Sequence, residues 1–143
     1  MKLSTAMLGL MLLGMAAAAE GAPDWVCVTH KAQWSPRDLQ SALVYQDQMW
    51  ILGGRTAPQA ANPRDVWKST DGRQWTRVVE SAPWAHGVSP AATVFKKVMW
   101  LMGGLKLPGG DSDDDVWTSC DGAEWTQVMG GAGWSPRVSP LSV

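Results

Sequence analysis

The stretch MWILGGRTAPQAANPRDVWKSTDGRQW, Met49 to Trp75, returns fifty residues later as MWLMGGLKLPGGDSDDDVWTSCDGAEW, Met99 to Trp125. All ten tryptophans fall into columns at that interval: Trp25, Trp75 and Trp125; Trp34, Trp84 and Trp134; Trp50 and Trp100; Trp67 and Trp117. A chain with such a repeat builds the same unit more than once, and each unit buries its apolar faces mainly against its neighbours. The repeat thus restricts the fold before any single residue is considered.

Within a unit the apolar residues follow the period of strands. Leu39 to Tyr45 is an apolar, partly β-branched run, Gln46-Asp47 a polar turn, and Gln48 to Leu52 a second run closed by Gly53-Gly54. Asp65 to Ser69 and Gln74 to Val78 then flank Asp71-Gly72, a dipeptide suited to a two-residue hairpin turn. The second unit repeats the order with Val88 to Phe95, Val98 to Met102, Asp115 to Ser119 and Glu124 to Val128, turning at Lys96-Lys97 and Asp121-Gly122. No segment has a helical pattern of useful length, so the expectation is an all-β protein of four-stranded antiparallel units.

The order apolar strand, Met-Trp-Ile-Leu-Gly-Gly, variable loop, Asp-Val-Trp, turn, Trp resembles the kelch motif over residues 25 to 137. A period near fifty is also the kelch period. The resemblance implies kelch-type β-propeller blades, in which Trp50, Gly53, Gly54, Trp67 and Trp75, and their counterparts Trp100, Gly103, Gly104, Trp117 and Trp125, are structural. Tryptophans recurring at the same place pack between sheets. Paired glycines mark strand ends where the chain bends or backbones approach closely. Ser69 to Trp75 also resembles the Asp-box of sialidase-type propellers, but is one residue shorter between Asp71 and Gly72.

The parts follow from this register. Lys2, the apolar stretch Ala6 to Ala18 and small residues to Ala19 make residues 1–19 a cleavable secretory signal, placing the mature chain outside the cytoplasm, secreted or periplasmic. Residues 20–33 hold a strand of the fourth type around Trp25, 34–83 the first repeat, 84–133 the second, and 134–143 the opening of a third. About two blades is fewer than the four to eight of a closed propeller. The partners expected on that ground are the remaining blades of a longer protein, the favoured alternative, or copies of this chain. Export permits disulfides, but Cys27 and Cys120 occupy different columns of the repeat, and two unpaired, packed thiols are expected.

Charge excludes one class of partner. Without Lys2 the formal net charge moves from −1 to −2, which gives no basic face for a phosphate backbone, so no nucleic acid is expected. No second long apolar run follows the leader, so no membrane association is expected after its removal.

Catalytic residue types are scarce: two histidines, one tyrosine, and no nucleophile elbow, phosphate loop or Cys-x-x-Cys. Among kelch-type enzymes, galactose oxidase needs two tyrosines at its copper, and Tyr45 is alone. Sialidases need an arginine cluster with a tyrosine and carboxylates, which Arg55 and Arg64 do not complete. Asp111 to Asp115 opens like a calcium loop, but Val116 stands where its glycine belongs. No catalytic residue, metal or cofactor is therefore assigned. In a four-stranded meander the tight turns leave at one end and the longer links at the other. That second end carries Arg55 to Arg64, Glu80 to Gly87 and Leu105 to Asp114, which are read as long charged loops. Long loops on a rigid scaffold are where binding resides, so a ligand, protein or glycan, is expected at Arg55, Arg64, His86, Lys106, Asp111, Asp113 and Asp114. His86 is singled out because it replaces Pro36 and Pro136 of the other units. The competing reading is the first part of a secreted carbohydrate-active propeller enzyme.

Overall fold

Alternation of side chains across a strand puts apolar residues on both faces of segments 48–52 and 98–102, which suits a sheet with a neighbour on each side. In the computed structural model, residues 24–56 and 62–138 are described; the expected signal segment lies outside them. The first repeat forms β1 (Ser41–Tyr45), β2 (Gln48–Leu52), β3 (Val66–Ser69) and β4 (Thr76–Val79). The second forms β5 (Ala91–Phe95), β6 (Val98–Lys106), β7 (Asp111–Ser119) and β8 (Thr126–Met129). Each set is one antiparallel four-stranded sheet in sequence order. The protein is all-β, with no helix among the described residues.

The core lies between the two sheets. Leu43, Tyr45, Trp50, Leu52 and Val66 of the first meet Ala92, Met99, Leu101, Trp117 and Trp125 of the second, with Trp84 from the connecting segment. Trp50 and Trp84 are 2% exposed and Leu52 and Met99 fully buried; burying a side chain of this size is worth about 2–3 kcal/mol. Tyr45 Oη donates toward the carbonyls of Lys97 and Cys120, at 2.9 and 3.0 Å, and Ser41 Oγ donates to Pro90 O. A Cβ on Gly122 would collide with the Trp50 ring, so that glycine is the socket for the tryptophan of the preceding sheet.

Four expectations change. Residues 24–28 form no strand and Trp25 is wholly exposed, because the segment lies against neither sheet's hydrogen-bonding edge. The first strand of each unit starts later than its apolar run, since Leu39 and Ser89 take positive φ values of 55° and 54° and turn the chain just before it. Asp71-Gly72 is not a two-residue turn: β3 and β4 are joined by 70–75, where Asp71 Oδ1 accepts from the backbone of Arg73 and Gln74 and Ser69 Oγ from that of Asp71 and Gly72. The two-residue turns with positive φ at both centres are Gln46-Asp47 and Lys96-Lys97. Finally, Cys27 and Cys120 are free, as expected, but exposed rather than packed.

Candidate functional site

The paired glycines steer the chain at the end where the longer links emerge. Gly53 and Gly103 have φ of 60° and 63°, and Gly54 and Gly104 of 113° and 119°, angles that glycine alone adopts cheaply. The freed amides are capped from the following repeat: Gly54 N donates to Gly87 O at 2.8 Å and Gly104 N to Arg137 O at 3.0 Å. Position 87 therefore sits at the rim between the two sheets, and 37 and 137 are its counterparts in the repeat.

At the first of these positions the side chain completes a buried ion pair. Arg37 is 1% exposed along its side chain and donates to Asp65 Oδ1 at 2.6 Å, Asp65 Oδ2 at 3.0 Å and Gly53 O at 2.9 Å. Trp67 Nε1 also donates to Asp65 Oδ2, at 2.7 Å. Burial pushes the Asp65 carboxyl up, but the Arg37 and Trp67 hydrogen bonds and the guanidinium charge outweigh it and hold the group below the usual carboxylate range.

In the second unit Gly87 stands where Arg37 does, and Asp115, the counterpart of Asp65, has no such guanidinium. Burial, and then the neighbouring Asp113 carboxylate, push Asp115 up. Asp113, Asp114 and Asp115 bring carboxylate oxygens within 4.8 Å of one another. The Asp113 carboxylate lies against His86 Nδ1, with side chains 10% and 20% exposed, and Asp113 Oδ1 accepts from Asp115 N at 2.7 Å. Three carboxylates are hard donors suited to a divalent cation, though calcium takes six to eight oxygens. A protonated imidazole or a cationic group offers the same compensation.

The residues expected to bind ligand are placed as follows. His86, Asp113 and Asp114 are brought together. Lys106 and Asp111 are not on a loop: β6 and β7 continue past the glycines, pair Lys106 with Asp111 and Gly104 with Asp113, and turn at 107–110. The pairing can run that far because Gly109 and Gly110 turn the chain tightly at φ of 128° and 77°, with Gly110 N donating to Lys106 O at 3.1 Å. Arg55 is engaged with Asp38 through paired contacts of 2.9 and 2.5 Å, both exposed, and hydrogen bonding from Arg55, helped by its charge, holds Asp38 below its ordinary pKa. Arg64, ahead of β3, forms an isolated parallel bridge with Ser81, and its carbonyl accepts from Ala82 N. Asn62 Nδ2 donates to Leu107 O at 2.9 Å and ties the first link to the hairpin tip; residues 57–61 of that link lie outside the described ones. Sequence reasoning omitted Asp115 because it aligns with Asp65. The signal was available in the replacement of Arg37 by Gly87.

No protein-family model and no curated protein matches the chain.

Proposed function

We propose that this chain is an exported segment of a kelch-type β-propeller, a non-catalytic scaffold that binds a protein or a glycan at the rim where its longer links emerge. Each four-stranded sheet is a blade in this reading. The observation that carries it is the asymmetry between the two ends of the sheets. One end holds the two-residue turns Gln46-Asp47 and Lys96-Lys97. The other gathers His86, Asp113, Asp114 and Asp115 with the projecting β6–β7 hairpin. Pairing of Asp113 with Gly104 on β6 holds this end of β7 in place, which lowers the entropy lost on binding.

An acidic rim with one histidine favours ligands that present cationic or hydrogen-bond-donating groups. The test is a glycan array and a panel of basic peptides, each probed with the wild type and with Asp113→Asn/Asp114→Asn. Binding by the wild type that falls tenfold or more in the double variant supports the reading. Equal binding by both, or none by either, overturns it.

A further inference from the structure

We infer that the two outer faces of this chain are complementary to each other, so that copies associate head to tail. The inference rests on the blade reading of the two sheets and not on ligand binding at the rim. Successive side chains on a strand point to opposite faces. In the first sheet Tyr45, Trp50 and Leu52 form a leading face that packs on the second sheet. In the second, Met99, Leu101 and Trp125 form the following face that receives it.

The repeat carries each face once more, with no sheet packed on it among the described residues; the following face of the first sheet is covered only in part, by Val28, Gln33 and Trp34. Phe95 and Trp100 stand where Tyr45 and Trp50 do; Tyr45 is 6% exposed and Phe95 57%. Met49 stands where Met99 does, and is 37% exposed against 0%. Trp50 and Trp125 are buried, whereas Trp100 and Trp75, their counterparts on the outer faces, are half-buried. The sockets differ in the same way. A Cβ on Gly122 would strike the Trp50 ring, but one on Gly72 would meet only Met49 Cε at 3.4 Å and Val28 Cγ2 at 3.5 Å. Gly72 is met by two flexible side-chain ends in place of a tryptophan ring, and Trp100 is the ring without a socket.

A second copy of this chain supplies both surfaces at once. The contact is heterologous, the same leading face meeting the same following face at every junction, and it closes into a ring when the rotation per copy allows. Closed propellers of four to eight blades correspond to about two to four copies.

Analytical ultracentrifugation of the protein exported by its own host tests this, with the wild type, Phe95→Glu and Met49→Glu compared at about 50 μM. Both substitutions lie at outer positions, and unchanged circular dichroism establishes folding. The wild type is expected as a discrete particle of two to four subunits, and each variant alone as a monomer. Met49→Glu keeps its leading face and Phe95→Glu its following face, so mixing them is expected to give a 1:1 dimer and nothing larger. A monomeric wild type, a particle whose mass neither variant changes, or a mixture that stays monomeric overturns the inference. So does a monomer heavier than this sequence by whole blades, which would place repeats of the same chain on those faces. A monomer that still binds ligand at the rim leaves the proposed function standing; a multimer that binds none does the reverse.

Discussion

Arg37 and Gly87 occupy one place in successive repeats, and exchanging one for the other redistributes charge along the rim. Arg37→Met leaves Asp65 buried without its guanidinium, a loss of about 3–5 kcal/mol by the general behaviour of broken buried pairs. It should appear as a lower urea midpoint with little change in slope. The sign with pH follows from the lowered Asp65 carboxyl. Its stabilisation is present above the ordinary carboxyl pKa and lost as pH falls through the lower folded value. Acid titration of stability should therefore be shallower in Arg37→Met. Asp115 behaves in the opposite sense, because its carboxyl is raised: its contribution is favourable at low pH and lost as pH rises through the folded value. Asp115→Asn should raise the Tm at pH 7 by about 2 °C, a discounted figure for a partly exposed group, with the gain gone near pH 3.

Turns, more than strands, separate what the sequence discloses from what it conceals. The strands and the two units are legible, since alternation of apolar residues and the tryptophan columns are local patterns that packing only reinforces. Asp71-Gly72 misleads because the Asp71 side chain bonds the backbone of Arg73 and Gln74 and builds a wider turn. Gln46-Asp47 and Lys96-Lys97 take the tight geometry with no glycine, held there by strand register. The extended hairpin was hidden because Pro108 and Gly109-Gly110 give its tip the composition of a loop. The site was legible in part: His86 departs from the repeat, but its meeting with Asp113 depends on tertiary register. The two Asp-Gly turns offer a paired experiment. Gly72→Ala and Gly122→Ala both place a methyl at positive φ, 71° and 77°, which costs about 1–2 kcal/mol. Only the second also meets the Trp50 ring. In the monomeric Phe95→Glu background, where no second copy's Trp100 reaches Gly72, chemical unfolding should show Gly122→Ala the more destabilised by at least about 2 kcal/mol, a typical overpacking cost. Equal losses would mean the socket does not hold Trp50.

Because the core is the seam between the sheets, neither sheet retains its buried face without the other. Calorimetry should record one transition, and Tyr45→Phe, which removes the hydroxyl bridging to Lys97 and Cys120, should lower that single transition by about 1 kcal/mol without splitting it. Two separate transitions would show that the sheets are independent. The uneven burial of the tryptophans has an optical consequence. Trp50, Trp84 and Trp125 are 2%, 2% and 7% exposed, while Trp25 is 101% exposed and Trp134 37%. Emission from one folded chain is thus a sum of shielded and water-facing indoles, and acrylamide should quench its red edge first and leave a blue remainder. The protein carries its own gauge of how much of each face is in water.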